Sequence, residues 1–150
     1  MKVLTKPFGL IDVDERQRVE LPFGVFGFET HRNFVLLDAE QSPFYWLQSL
    51  ESVKTAFVLV DPQLIRPDYT LDVDPEDLAE IGIQARADML VFAIVTIPDD
   101  TAKKMTVNLQ GPIAINRITK VGRQCINQGP QWTVRHRVME EISAVRQGTC

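Results

Sequence analysis

Histidine and cysteine are scarce in this chain, with two of each among 150 residues. Cys125 and Cys150 form no CxxC pair, which excludes a disulfide framework and a thiolate metal knuckle. Two sparse thiols suit a reducing, cytoplasmic setting. His31 and His136 lie far apart in sequence, and neither has a second His or a Cys nearby; Glu29 and Asp38 are the carboxylates closest to His31. A metal site wants three or four ligands at local spacing, so no metal is expected. There is no GxSxG and no cysteine in Gly-rich surroundings, and LPFGVFGFE (21–29) lacks the spacing and the lysine of a phosphate cradle. Ser49 and Ser52 read as a strand end and turn. Long apolar runs are absent too: the longest is MLVFAIV (89–95), and MKVLTKPFG at the start has no apolar h-region. These absences argue against an enzyme, a cofactor protein, a membrane span and a secretory leader.

Charge is present but divided. The chain carries −4 overall with a pI near 5.2. Residues 1–100 hold 8 Lys/Arg against 18 Asp/Glu, and residues 101–150 hold 8 against 2. Either the two sets mix in space and cancel, or the molecule presents faces of opposite sign that steer a charged partner. Arg117, Lys120, Arg123, Arg135 and Arg137 support an alternative reading as a nucleic-acid-binding β-barrel module that uses the basic C-terminal third. The net negative charge weighs against that reading, as does aromatic interleaving limited to Trp132. The acidic run DVDPEDLAE (72–80) lacks the alternating ligands and central glycine of a calcium loop. It reads better as a helix start, with Asp74 as N-cap, Pro75 at the first helical position, Glu76 and Asp77 complementing the helix dipole, and Gly82 as terminator.

What the chain has in quantity is short apolar segments rich in Val, Ile, Phe and Thr. The expected strands are 3–8, 9–14, 18–21, 33–38, 44–50, 55–61, 88–97, 105–110, 112–116, 122–127 and 132–137. FVLLD, AFVLV and MLVFAIV are continuous, as strands covered on both faces should be. WTVRHR (132–137) alternates, which predicts one buried and one wet face. The Phe-rich loop 21–29 is expected to turn its rings into the core. A second helix is expected at 138–147, with Val138, Ile142 and Val145 on one face that packs on the barrel or meets a partner. The fold class that follows is all-β: a compact, barrel-like antiparallel sheet with one or two short helices, a domain at 1–137 and a helical tail at 138–150.

Four stretches in order resemble the flagellar assembly factor FliW family: LPFGVFGFE (21–29) with FVLL (34–37); PFYWLQSLES (43–52) with AFVLVDP (56–62); DYTLDV (68–73) leading into the acidic helix; and IVTIPDD (94–100) with MTVNLQGPIAIN (105–116). GRQCIN (122–127) continues the pattern. The resemblance spans about residues 5–137. It implies a cytoplasmic, non-enzymatic β-barrel with two alternative protein partners. One is flagellin, held by the factor as a chaperone before export. The other is CsrA, a dimeric RNA-binding translational repressor that the freed factor antagonises, which relieves repression of flagellin synthesis. By position, the resemblance implies a partner-binding edge at Tyr69, Val107, Asn108, Leu109, Gln110 and Pro112. The same residues also read as a half-buried strand bent at Gly111-Pro112. Gly111 departs from the family, which often has a small residue with a Cβ there. Asp72, Asp74, Glu76 and Asp77 form an acidic steering patch that attracts a basic repressor. No direct nucleic-acid or membrane contact is implied.

Overall fold

Short runs of β-branched and aromatic side chains become ten strands, because such side chains suit a pleated surface. The structure, a computed structural model, describes residues 1–98 and 104–148. In chain order the strands are β1 (Lys2–Thr5), β2 (Gly9–Asp12), β3 (Arg18–Glu20), β4 (Asn33–Asp38), β5 (Tyr45–Ser49), β6 (Ala56–Val60), β7 (Met89–Thr96), β8 (Thr106–Asn116), β9 (Gly122–Gln124) and β10 (His136–Arg137). The α-helices are α1 (Pro62–Ile65), α2 (Pro75–Glu80) and α3 (Val138–Gly148). The main sheet runs β10-β8-β7-β6-β5-β4-β3, with β9 paired to the far half of β8. Glu20 at the end of β3 bridges Val121 beside β9, and the Glu20 amide donates to the Lys120 carbonyl at 3.0 Å. That contact brings the two ends of the antiparallel sheet together as a nearly closed barrel.

Alternation along the strands sorts the core. Phe34, Leu47, Leu59, Phe92, Ile113 and Ile115 pack together as one cluster inside the barrel. Their neighbours in sequence point outward, and three separate covers bury them. The β1–β2 hairpin lies over Val35 and Leu37 of β4. The α2 region, through Val73, Ile81 and Ile83, covers Val91 and Ala114. Tyr69, Trp132, Ile65 and Val138 cover Val60, Ala93, Val95, Val107 and Leu109. This double coverage is why β4, β6 and β7 are uninterrupted apolar runs.

Several local expectations are met and others corrected. Asp74 caps α2 by accepting from the Glu76 amide, Pro75 opens it, and Gly82 follows at φ 75°. The same Asp-Pro device starts α1, where Asp61 accepts from the Gln63 amide; this one-turn helix was absent from the sequence reading. Residues 132–137 are not one strand. Only His136 and Arg137 pair with β8, while Trp132 is buried and Val134 is exposed. The local hydrogen bonds explain it: the Trp132 amide donates to the Gly129 carbonyl in a turn, and the Thr133 amide donates to His136 Nε2. Residues 106–116 form one strand, β8, where two were expected at 105–110 and 112–116. In α3, Val138 and Ile142 pack on the barrel; the side chain of Val145, the residues Asp99 and Asp100 of IVTIPDD, and Cys150 lie outside the described residues.

The loop 21–29 is also corrected. Leu21 and Val25 are the buried anchors, whereas Phe23 and Phe26 are each 53% exposed and Phe28 is 41% exposed. Positive φ at Gly24 and Gly27 (69° and 88°) folds the loop so tightly that Phe23 and Phe26 turn outward, while the half of Phe28 that is covered packs edge-on against Phe57 at 5.1 Å. A Cβ on Gly24 would sit 2.5 Å from Glu29 Cα and 2.6 Å from the Phe28 carbonyl oxygen, both backbone atoms that cannot yield. Gly24→Ala is therefore expected to cost roughly 2–5 kcal/mol, combining a left-handed alanine with overpacking. Chemical denaturation of the variant measures it.

Candidate functional site

The centre of interest is the stretch Asn108–Pro112 in β8. β7 and β8 pair regularly from Thr96↔Thr106 to Ile94↔Asn108, and again from Phe92↔Ile113 to Met89↔Asn116. Five steps along β8 therefore face two along β7, which makes a bulge of three extra residues. An odd excess reverses the facing of the strand. Val107 and Leu109 lie against the outer cover with Tyr69 and Trp132, while Ile113 and Ile115 lie inside the barrel.

Each backbone group freed by the bulge finds a partner. Asn108 Oδ1 accepts from the amides of Gln110 (3.1 Å) and Gly111 (2.8 Å). Tyr69 Oη donates to the Leu109 carbonyl at 2.8 Å. The Asn127 amide donates to the Gln110 carbonyl, Gln124 Nε2 to the Gly111 carbonyl, and the Cys125 amide to the Pro112 carbonyl. The Leu109 and Gln110 amides share the Thr133 carbonyl. Pro112 brings no N–H that would need a partner. Gln124 also accepts from the Phe26 amide at 2.8 Å, which ties the bulge to the aromatic loop. Asn127 donates to the Thr70 carbonyl and accepts from the Asp72 amide, which ties it to the acidic segment.

Of the six residues at the expected edge, Tyr69, Val107, Leu109 and Pro112 are buried, Asn108 is half-buried and Gln110 is exposed. Asn108 is occupied in holding the bulge. Gln110 is the member of the set whose side chain faces solvent. Burial pushes the Tyr69 hydroxyl up to about 12, and Tyr69 packs against the Trp132 ring at 4.9 Å. Burial likewise pushes the Cys125 thiol up to about 11.

Asp72, Asp74 and Glu76 are exposed and Asp77 is half-buried. Their chain neighbours Leu71, Val73, Pro75 and Leu78 line a cleft of about 370 Å³, together with Tyr69, Arg86 and Val91 among others. The charges of the two sequence halves partly mix. Arg123 pairs with Asp77 (3.5 Å) and Glu80 and lies over the Phe23 ring at 4.7 Å. Arg66 pairs with Asp68 and with Glu141 of α3. Asp72, Asp74 and Glu76 have no ion-pair partner among the described residues.

Gln124 and Asn127 were missed by sequence reasoning, and so were the outward rings of Phe23 and Phe26; Phe28 meets Phe57 as an anchoring ring should. Two glycines interleaved with three phenylalanines were the available signal for the rings; the amides carried none. His31 Nδ1 meets Ser49 Oγ at 2.9 Å, and Glu29 accepts from the Gly27 amide. Among the described residues no group of three or more His, Cys, Asp or Glu is placed to hold a metal ion. No helix there is long and apolar enough to cross a membrane.

Comparison with known proteins adds a second line. The family model described as "FliW protein" matches residues 2–138. The flagellar assembly factor FliW of Treponema denticola is 41% identical over 144 residues, covering 96% of this chain and 97% of its own length. That of Leptospira interrogans is 40% identical, covering 95% and 96%. A crystal structure of the flagellar assembly factor FliW superposes with a TM-score of 0.82 at 33% identity, covering 92% of this chain and 96% of that one.

The two amides of the edge should separate by experiment. Asn108→Ala removes two backbone acceptor contacts and is expected to cost about 1–3 kcal/mol, whereas Gln110→Ala should lie within roughly 0.5 kcal/mol of wild type. Urea titrations distinguish them. Alkaline pH should also act on the outer cover. Tyr69 and Cys125 have folded pKa values raised above their ordinary values of 10.0 and 9.0, so the native state holds protons that the unfolded chain has released. Their contribution is fully present below about pH 9 and is lost as pH rises through about 11 and 12. Melting temperatures should fall across that window, less steeply in Tyr69→Phe.

Proposed function

This chain belongs to the FliW family of flagellar assembly factors, and on that premise we propose that it works by protein–protein contact, as a cytoplasmic chaperone for flagellin that, when free, binds and antagonises the translational repressor CsrA. In this reading the free factor relieves repression of flagellin synthesis, and no substrate is turned over.

The observation that carries the repressor half is the unpaired acidic rim at Asp72, Asp74 and Glu76 beside an apolar cleft. A repressor that grips RNA must present a positive surface. Carboxylates held on a capped helix attract such a surface and repel the phosphates it carries. Tyr69, Val107, Asn108, Leu109, Gln110 and Pro112 adjoin this rim through Asn127 and the 69–73 segment. Within that set Gln110 makes the direct contact, and the other five hold the backbone that presents it. The outward Phe23 and Phe26 and the exposed side of Phe28 supply apolar area next to the same bulge, suited to a partner that shields its own apolar face before assembly.

Pull-down of the full chain with flagellin and with CsrA, followed by competition between them, tests the reading; failure to capture either protein would overturn it. Neutralising Asp72, Asp74, Glu76 and Asp77 to their amides keeps the helix cap, because asparagine caps as well as aspartate. The neutralised protein is expected to bind CsrA about tenfold more weakly at low salt, with the difference shrinking as ionic strength rises. Titration calorimetry at two salt concentrations reads both effects.

A further inference from the structure

The closure of the barrel creates a second surface, on which Arg16, Arg18, Arg117 and Lys120 meet Asp14, Glu15 and Glu20. Residues 14–20 and 117–120 are about a hundred positions apart in sequence, and the Glu20–Val121 bridge brings them together. We propose that this seam is a docking surface for an acidic protein segment that carries an apolar side chain.

The seam is rigidly built. Asn116, itself buried, accepts through Oδ1 from the amides of Ile118 (2.9 Å) and Thr119 (3.2 Å) and donates through Nδ2 to the Ile81 carbonyl at 2.9 Å. Lys120 adopts φ 60° and donates its amide to the Asn116 carbonyl. Ile118 stands at the tip of this turn, 83% exposed, more than any other large apolar side chain among the described residues. Single exposed apolar residues are ordinary. This one sits on a turn whose backbone is already immobilised, so covering it costs little further ordering.

Three cations around it have no ion-pair partner among the described residues, beside the carboxylates Glu15 and Glu20, which have none either. Arg16, Arg66, Arg123 and Arg137 each have a carboxylate partner. Arg18, Arg117 and Lys120 have none among the described residues. Arg117 donates to the Ala87 and Met89 carbonyls, Lys120 to the Arg117 carbonyl, and Arg18 to Asn33 Oδ1. These neutral acceptors hold the cations in place without cancelling them. Lys120 separates two clefts, one of about 550 Å³ that includes Asp14, Arg117 and Ile118, the other of about 150 Å³ that includes Arg18, Glu20 and Asn33.

Protein fits this pattern better than nucleic acid does. Each cleft holds one carboxylate, Asp14 or Glu20, which a continuous phosphate backbone would have to pass. No aromatic ring lines either cleft to stack a base. Separate Glu or Asp side chains can be placed against Arg18, Arg117 and Lys120 while an apolar neighbour covers Ile118. The proposal does not rest on the acidic rim or on the partners assigned to it.

The test is fluorescence anisotropy of the full chain with a short labelled peptide of alternating Glu and Leu, at low salt. Saturable binding is expected. Arg117→Gln with Lys120→Asn should weaken it at least about tenfold, and Ile118→Ser severalfold; asparagine tolerates the left-handed backbone at position 120. Arg18→Gln, whose side chain makes a single amide contact, provides a variant with no folding burden and should also weaken binding. The surface assignment is overturned if the peptide shows no saturable binding, or if the variants bind it like wild type. It is equally overturned if oligouridine or phosphatidylserine vesicles bind more tightly than the peptide through the same residues.

Discussion

A β-strand cannot change which face its side chains cover unless it gains or loses an odd number of residues. β8 gains three between Asn108 and Ile113. Before the bulge its apolar residues serve the outer cover, and after it they serve the barrel interior. The same strand can therefore pair with β10 at one end and β9 at the other while remaining beside β7 throughout. Without the reversal, Ile113 and Ile115 would face outward and the barrel interior would lose two of its fully buried side chains. That loss is on the order of 4–10 kcal/mol if each position behaves like an emptied core site.

The bulge is stable because distant parts of the chain satisfy it. Tyr69, Gln124 and Asn127 each supply one of its hydrogen bonds and Thr133 accepts two, and each also belongs to a segment that faces solvent. The aromatic loop, the acidic segment and the 129–133 turn are thereby all referenced to one point in the sheet. The surfaces proposed for binding are loops registered to a strand defect rather than left free. This suits recognition by contact, where a surface held in its bound shape loses less entropy on binding.

Charge is arranged with the same economy. Arg123, from the basic C-terminal third, pairs with Asp77 and Glu80 of α2, and Arg66 holds α3 through Glu141, so part of the charge is balanced internally. Among the charges with no ion-pair partner in the described residues, Asp72, Asp74 and Glu76 lie along the acidic segment and Arg18, Arg117 and Lys120 lie at the seam. The overall charge of −4 conceals both.

Much of the architecture was legible from residue order alone. Continuous apolar runs marked strands covered on both faces, and Asp74-Pro75 with Gly82 marked α2, because those signals are local and act within a few residues. The family resemblance was legible for the same reason, as an ordered set of short motifs. The sequence alone also suggested that MTVNLQGPIAIN bends at Gly111-Pro112. It could not show that the bend is an odd-numbered bulge, since Val107, Leu109, Ile113 and Ile115 share one parity and only pairing with β7 reveals the shift. Nor could it show that Phe23 and Phe26 face outward, that Trp132 sits in a turn, or that Arg18, Arg117 and Lys120 meet at a seam. The shift and the seam depend on pairing between segments 14 to 100 residues apart, which exists only once the barrel has closed, while the loop and the turn depend on local backbone geometry that the residue types leave open.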